Sequence, residues 1–191
     1  MTKSQAVTIK RSTLMSALLV GAVVALCSVT NARAELAPDV KSKVESYKKK
    51  LVEWAAHPTI VAAAKESNAK GGLAAGMSNA KWDDLADTDA VVKGFQTSAA
   101  GKLMSQWEAD KTLDKLYVRD EKGNLVAGSN KPLLYNNANR PPFANPFKGQ
   151  AWAAGEAKPD PTTQKKSVQL GVPILDGGKT IGVLQTAVLV D

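Results

Sequence analysis

Residues 116–129 read LYVRDEKGNLVAGS, and this segment indicates two β-strands joined by a tight turn. Apolar and polar side chains alternate from Leu116 to Asp120, which is typical of a strand with one buried face. Gly123 can take the positive φ that such a turn requires, and the apolar run 125–127 begins a second strand. The segment therefore predicts a β-hairpin.

A second, longer hairpin is predicted at the end of the chain. Strands at 167–174 and 180–190 flank a turn at 176–179 that contains Gly177 and Gly178. A further strand is expected within 150–157. With the first hairpin, these segments predict an antiparallel meander of about five strands.

The first half of the chain has a helical pattern instead. Between residues 39 and 56 the apolar side chains recur at steps of three and four, which predicts one long helix with an apolar stripe. The stripe consists of Val40, Val44, Tyr47 and Leu51. A second helix is expected from Thr59, and two short helices within 82–107. Helices followed by a strand meander indicate an α+β fold, and a stripe wider than one sheet can cover predicts a homodimer contact.

The first 34 residues have the pattern of an export signal. Basic residues precede an uncharged stretch from Ser12 to Ala32 that is rich in Ala, Leu and Val. Small residues at Ala32 and Ala34 fit the cleavage pattern of a signal peptidase. We therefore predict cleavage between Ala34 and Glu35, which leaves a single domain over residues 35–191 in the bacterial periplasm. The alternative is an uncleaved signal anchor, since about 20 uncharged residues can span a bilayer.

Composition excludes several classes of protein. The whole chain carries a formal charge of +7, and loss of Lys3, Lys10, Arg11 and Arg33 with the signal lowers it to +3. Lysines scattered among acidic residues give no clustered patch for nucleic acid. The only cysteine, Cys27, leaves with the signal. The mature domain is therefore expected to have no disulfide, no thiolate metal site, no covalently attached haem and no other cofactor.

A catalytic role is not expected either. His57 is the only histidine, and the mature domain has neither a cysteine nor a serine in a nucleophile-elbow pattern. The common pairs of nucleophile and base therefore cannot form. Neighbouring carboxylates at 83–84 and 87–89 are more typical of helix starts than of acid and base machinery. The sequence favours a binding protein over an enzyme.

The segment 135–164 has the composition of a pocket wall. It concentrates aromatic and polar side chains between the two halves of the predicted sheet: Tyr135, Asn136, Asn137, Asn139, Arg140, Phe143, Phe147, Trp152, Asp160, Thr162, Thr163 and Gln164. Aromatic walls with a few convergent polar groups suit a small-molecule pocket. A long connection whose aromatic residues anchor it to the sheet has the same composition, so both interpretations stay open.

Several blocks of the chain are similar to one known family. Residues 116–129 resemble the opening hairpin of the bacterial Cache domains, which are PAS-like extracytoplasmic sensors. Residues 160–164 and 172–184 resemble the closing hairpin of the same family, and 57–65 resemble the segment after the first helix in single-domain members. The resemblance implies an α+β fold in which a long N-terminal helix packs with a five-stranded antiparallel PAS-like sheet. It also implies a ligand held between the sheet and the loops after the second strand.

The resemblance carries an expected function. Most Cache domains lie between two transmembrane helices and feed a chemoreceptor, kinase or cyclase, whereas this chain stops directly after its last predicted strand. We therefore expect a solitary periplasmic sensor that binds a small molecule and acts through a separate membrane receptor or kinase. The rival interpretation is a structural protein of the cell envelope with a vestigial pocket, dimerising through its N-terminal helix.

The expected ligand is small and polar, and it is anionic or carries a carboxylate. Arg140 is the predicted anchor, because the prolines after it restrict the backbone and a guanidinium suits bidentate capture of a carboxylate. Arg119 competes for this role on the same sheet face as Tyr117, and which face lines the pocket stays open. The full set of predicted ligand-binding residues is Tyr117, Arg119, Tyr135, Arg140, Trp152, Asp160 and Gln164.

Overall fold

The computed structural model describes residues 35–190, and the predicted signal peptide with its cleavage residue Ala34 lies outside this range. The first part of the described chain is helical. Its helices are α1 (Pro38–Ala55), α2 (Pro58–Lys70), α3 (Asn79–Asp83), α4 (Ala90–Thr97) and α5 (Ala99–Glu108). Within residues 35–190, no helix has both the length and the hydrophobicity needed to cross a bilayer.

The second part forms one antiparallel sheet, which confirms the α+β prediction. The strands are β1 (Leu113–Asp120), β2 (Leu125–Gly128), β3 (Trp152–Ala153), β4 (Lys158–Pro159), β5 (Lys166–Asp176) and β6 (Lys179–Leu189). They follow the order β2-β1-β6-β5-β3, and β4 also pairs with β5. The sheet has six strands rather than five, because only β3 lies within the range predicted at 150–157, and β4 follows after a bend at residues 155–156 as a further short strand.

Helix α1 packs on β5 and β6 and forms one side of the main core. Val44, Tyr47 and Leu51 are buried there, and Val40 packs against the same cluster. The long N-terminal helix is thus confirmed. The chain's own sheet covers Val44, Tyr47 and Leu51, whereas Val40 is only partly buried. The homodimer contact through this stripe stays a prediction.

Three short helices occupy residues 79–108, where the sequence pattern predicts two. Each begins at a side chain that accepts an N–H from its first turn. Ser78 accepts from Lys81 at 3.2 Å, Asp89 from Val91 at 2.8 Å and Ser98 from Gly101 at 3.0 Å. A cap of this kind stabilises a helix start by about 1 kcal/mol. Ser98 ends α4 and begins α5, so it divides the second of the two predicted helices into two.

The hairpin of β1 and β2 is confirmed, and Asp120 organises its turn. The Asp120 carboxylate accepts the backbone N–H groups of Lys122 and Asn124, both at 2.9 Å. Gly123 takes a φ of 79°, and a Cβ there would lie only 2.7 Å from backbone atoms of Ala138. The turn therefore determines how closely the chain that follows β2, at Ala138, approaches the hairpin.

Candidate ligand-binding cavity

The two faces of the sheet have different surroundings. Leu116 and Val118 of β1 lie in the core with the helices, whereas Tyr117 and Arg119 point to the opposite face, as alternation along a strand requires. Residues 129–151, which connect β2 to β3, run over this opposite face and include helix α6 (Pro141–Ala144) in contact with β5 and β6. The face that carries Arg119 therefore lines the site, a choice that the sequence leaves open.

A cavity of ≈ 320 Å³ lies between this sheet face and the connection. Its floor contains directly paired residues of β1, β6 and β5. One row is Lys115, Ala187 and Gln169, and beside it Tyr117 pairs with Gln185. The rest of the wall consists of Arg119, Thr186, Asp160 and residues 132–134, 137 and 140–142 of the connection. Cavities of about 300–1,000 Å³ are typical of small-molecule sites.

Arg119 is the most deeply buried charged side chain of the cavity wall, with 2% of its surface exposed. Its Nε donates to Oε1 of Gln185 at 3.3 Å. Its Nη1 donates to the carbonyl oxygens of Leu134 at 3.0 Å and Tyr135 at 2.5 Å. Burial lowers the pKa of Arg119 to about 10, so the guanidinium keeps its charge at neutral pH.

The charges around the cavity do not balance. Arg119 donates only to neutral oxygen atoms, and no carboxylate within residues 35–190 forms an ion pair with it. Arg140 is exposed, and its guanidinium makes no hydrogen bond or ion pair with the described part of the chain. Among the described lining residues, Asp160 is the only carboxylate, and it is paired with Lys115. The cavity wall therefore carries two guanidinium groups that have no hydrogen bond or ion pair to a carboxylate in the described chain, and Asp120 acts on Arg119 only through space.

Asp160 and Lys115 form a closed polar cluster at one side of the cavity. Lys115 Nζ lies 2.6 Å from Oδ1 of Asp160 and also donates to Oγ1 of Thr162 at 2.6 Å. The same carboxylate oxygen accepts the backbone N–H groups of Thr162 at 2.8 Å and Thr163 at 3.1 Å. Burial acts to raise the pKa of Asp160, but these hydrogen bonds outweigh it and lower the pKa well below its usual range. Asp160 is thus ionised and already partnered at neutral pH.

Two amide side chains complete the wall beside Arg119. Asn137 Nδ2 donates to Oε1 of Gln185 at 3.0 Å, and that oxygen also accepts from Arg119. Oδ1 of Asn137 and Nε2 of Gln185 are buried, and neither has a hydrogen-bond partner among the described residues. Leaving a buried polar atom without a partner costs about 1–3 kcal/mol. These two atoms therefore mark a place where the fold alone does not satisfy its own polar groups.

The structure brings four of the seven predicted ligand-binding residues together in this cavity: Tyr117, Arg119, Arg140 and Asp160. Trp152 lies instead in the wall of a neighbouring cavity of ≈ 360 Å³, which shares Asp160 and Gln169 with the first. The pocket region predicted from the sequence is therefore divided between two adjoining cavities.

The other two predicted residues lie outside both cavity walls. The Tyr135 ring packs with Trp82 and Phe95 in a second apolar cluster, and only its backbone carbonyl contacts Arg119. Gln164 is exposed in a turn, where it takes a φ of 58°. Aromatic packing thus keeps the Tyr135 ring out of the cavity wall, and the turn that follows Asp160 keeps Gln164 out of it.

Sequence reasoning misses several polar residues of the wall, and two of them leave a signal. Lys115 has the same parity along β1 as Tyr117, so alternation alone places it on the cavity face. Gln185 is a polar residue in the middle of a largely apolar strand, and only 4% of it is exposed. Asn137 belongs to the segment with the composition of a pocket wall, but it is not among the predicted ligand-binding residues, because nothing in the sequence separates it from Asn136.

Metal binding finds no support in the described chain. Residues 35–190 contain no group of three or more His, Cys, Asp or Glu side chains placed to hold a metal ion. The single histidine, His57, has a structural contact: its Nδ1 accepts the backbone N–H of Thr59 at 3.2 Å and caps the start of α2.

Comparison with known proteins finds similarity at the level of solved structures. No family model matches the chain, and no curated protein matches it in sequence. The sensor domain of the V. cholerae histidine kinase DctB is similar with a TM-score of 0.41 and 17% identity, over 78% of this chain and 57% of that one.

Two chemoreceptor domains are similar to the same degree. The sensory domain of Campylobacter jejuni Tlp3 with isoleucine bound has a TM-score of 0.41 and 13% identity, over 81% of this chain and 64% of that one. The ligand-binding domain of the Pseudomonas aeruginosa PAO1 amino acid chemoreceptor PctC, in complex with GABA, has a TM-score of 0.41 and 12% identity, over 77% and 61%. The chain spans less than two thirds of each of these three domains. All three are sensor or ligand-binding domains.

Proposed function

We propose that this protein binds a small anionic ligand in the cavity and works as a sensor domain in the periplasm. The observation that carries the proposal is Arg119, a buried guanidinium that lines the cavity and has only neutral hydrogen-bond partners. A carboxylate on the ligand supplies the missing negative charge. After cleavage between Ala34 and Glu35, the domain reports the ligand to a separate membrane protein such as a receptor or kinase.

The energetics of Arg119 favour a ligand over a purely structural role. Burying a charge without a counter-charge is unfavourable by several kcal/mol. The carbonyl groups of Leu134 and Tyr135 satisfy N–H groups of the guanidinium but carry no negative charge, and Asp120 acts on Arg119 only through space. A carboxylate that reaches Arg119 from the cavity removes this cost, and Arg140 adds a second guanidinium that has no partner of its own. Ligand binding is thereby coupled to the stability of the fold.

The proposed function is binding, without a reaction. Lys115 is engaged by Asp160, and the only histidine caps a helix outside the cavity wall. A general base or nucleophile needs a group that is free to exchange a proton or attack a substrate. The proposal stands on the cavity and its charges rather than on the similar structures, which share at most 17% identity with this chain.

A panel of carboxylates tests the proposal. Propionate, succinate and benzoate are compared with their uncharged amides by thermal shift and calorimetry. We expect the carboxylates, and not the amides, to raise the melting temperature, since a ligand at 100 times its Kd adds about 2.7 kcal/mol to the folded state. If no carboxylate binds, the proposed function is wrong, and a structural role in the cell envelope is favoured.

Arg140→Ala tests the anchor. A charged hydrogen bond contributes about 1.5–3 kcal/mol, so the variant should bind the best carboxylate of the panel about tenfold more weakly or worse. The melting temperature of the empty protein should stay nearly unchanged, because Arg140 is exposed and unpaired in the described chain. Lys179→Ala is the matched control, since it removes the same charge from an exposed residue that lines neither cavity. Equal affinity of Arg140→Ala and the parent protein would show that Arg140 is not the anchor.

A further inference from the structure

We propose that the ligand carries a hydroxyl group next to its carboxylate, so that the cavity selects 2-hydroxycarboxylates over plain carboxylates and over zwitterionic amino acids. The inference rests on the proposed function, because it assumes that an anion enters this cavity. It is carried by the two unpartnered amide atoms, Oδ1 of Asn137 and Nε2 of Gln185.

Arg119 fixes the orientation of both amides. A guanidinium has only donors, so Gln185 must turn its oxygen toward the Nε of Arg119 and its NH₂ group away. Asn137 meets this same oxygen at 3.0 Å and must therefore turn its own NH₂ group toward it. Rotating either amide by 180° would place two donors or two acceptors against each other.

The fixed orientations determine what a ligand has to offer. Gln185 Nε2 is left as a donor that needs an acceptor, and Asn137 Oδ1 is left as an acceptor that needs a donor. Both residues line the cavity. Because the two amides are directly hydrogen-bonded to each other, the matching acceptor and donor of the ligand belong on neighbouring atoms. A carboxylate oxygen and a hydroxyl on the adjacent carbon have this arrangement.

The electrostatics of the cavity favour a neutral donor over an ammonium group. Arg119 and Arg140 are cations without a carboxylate ion-pair partner in the described chain, so a second positive charge beside Asn137 would be repelled. The only carboxylate among the described lining residues is Asp160, which already pairs with Lys115 at 2.6 Å. An ammonium also has three N–H donors, whereas Asn137 offers one free oxygen. A hydroxyl needs only that one acceptor.

Three matched series of probes test the inference on the parent protein. The plain acids are propionate, 4-methylpentanoate and 3-phenylpropionate. The hydroxy acids are lactate, 2-hydroxy-4-methylpentanoate and 3-phenyllactate, each as both enantiomers. The amino acids are alanine, leucine and phenylalanine. For the side-chain size that fits best, calorimetry should show the hydroxy acid binding about tenfold more tightly than the plain acid, because the plain acid leaves Asn137 Oδ1 unpartnered.

Asn137→Leu tests whether Asn137 is the residue that accepts a hydrogen bond from the ligand's hydroxyl. The variant removes the free acceptor at nearly constant size, while Gln185 still accepts from Arg119. Its affinity for the hydroxy acid should fall to that of the plain acid, and its affinity for the plain acid should not change. Asn139→Leu makes the same substitution at an exposed position that lines neither cavity, and should keep the preference of the parent protein.

The outcomes separate this inference from the proposed function. Carboxylates that bind with no preference for the hydroxyl, or amino acids that bind more tightly than hydroxy acids, overturn the inference and leave the anion site standing. A preference that persists in Asn137→Leu overturns the assignment of Asn137. If none of the three series and none of the carboxylate panel binds, the proposed function fails and the inference fails with it. The comparison of probes on the parent protein decides the matter even if Asn137→Leu does not fold.

Discussion

At the residue scale, Arg119 connects folding to binding. The sequence predicts its face of the strand, because Arg119 and Tyr117 have the same parity along β1. The sequence does not predict its partners, since Gln185 and Leu134 reach it from distant parts of the chain. Arg119 becomes a buried cation with only neutral hydrogen-bond partners when the chain folds. It leaves the empty protein less stable than the same fold with an anion beside Arg119.

Gln185→Glu should supply that anion from within the chain. The new carboxylate takes the place of an amide oxygen 3.3 Å from Arg119 Nε, so the charged donor gains a negatively charged acceptor in place of a neutral one. We expect the empty variant to be more stable by about 1–2 kcal/mol in urea unfolding, because the new counter-charge offsets part of the cost of burying the guanidinium. Carboxylates should no longer raise its melting temperature.

Gln169→Glu is the control for this prediction. It adds the same charge to another residue of the cavity floor, one that makes no hydrogen bond to Arg119. It should weaken carboxylate binding without stabilising the empty protein. A Gln185→Glu variant less stable than the parent would show that the charge of Arg119 is not an uncompensated cost.

At the scale of elements, the long helix and the two hairpins are predictable because their signals are local. Helical periodicity over 39–56 and the glycine turn at 120–124 each depend on neighbouring residues only. The short strands β3 and β4 are not predictable in this way, because pairing with β5 rather than local pattern defines them. The position of the connection over the sheet depends on the close approach of Pro142 to Gly171, which sequence periodicity does not predict.

Gly171→Ala should displace the connection. A Cβ at this position of β5 would overlap the carbonyl oxygen of Pro142 and lie 2.8 Å from Cγ of Pro146. Backbone and a proline ring cannot rotate away, so we expect a loss of about 1–3 kcal/mol, as for overpacked cores, together with weaker binding of carboxylates in the cavity. Urea unfolding and calorimetry measure the two effects.

Gly94→Ala is the matched substitution without the clash. Gly94 lies in α4, and a Cβ there has no atom within 4 Å, so the change should stabilise the protein by about 0.5–1 kcal/mol through helix propensity alone. If Gly171→Ala is as stable as Gly94→Ala, the close approach of the connection does not constrain the cavity.

At the scale of the whole molecule, the candidate site is assembled from segments far apart in the chain. Lys115 is 45 residues from Asp160 in sequence, and Arg119 is 66 residues from Gln185. The composition of residues 135–164 fits either a pocket wall or an anchored connection, and the family resemblance favours the pocket. Arg140 and Asp160 of this segment line the cavity. Which of its aromatic residues pack elsewhere is decided by the second apolar cluster around Trp82, and no local pattern contains that information.

The ion pair of Asp160 and Lys115 should make the stability of the whole domain depend on pH. Hydrogen bonds from Lys115 and the Thr162–Thr163 turn outweigh the opposing effect of burial and lower the pKa of Asp160 in the folded protein. The unfolded chain has the ordinary value of about 3.9, so the stabilisation is complete above that pH and is lost as the pH falls toward the folded pKa. Urea unfolding between pH 7 and pH 2.5 should show this loss in the parent protein. Asp160→Asn should be less stable at pH 7 and should lose less stability below about pH 4.

The half-buried carboxyl of Glu108 acts in the opposite sense and has to be separated from this effect. Burial raises its pKa, so its protonation favours the folded state as the pH falls. The difference between Asp160→Asn and the parent removes this contribution, because Glu108 is present in both. Asp87→Asn, at an exposed carboxylate with no hydrogen bond in the described chain, controls for loss of one negative charge and should run parallel to the parent. If Asp160→Asn also runs parallel to the parent, the Lys115–Asp160 pair does not stabilise the fold in the way the geometry indicates.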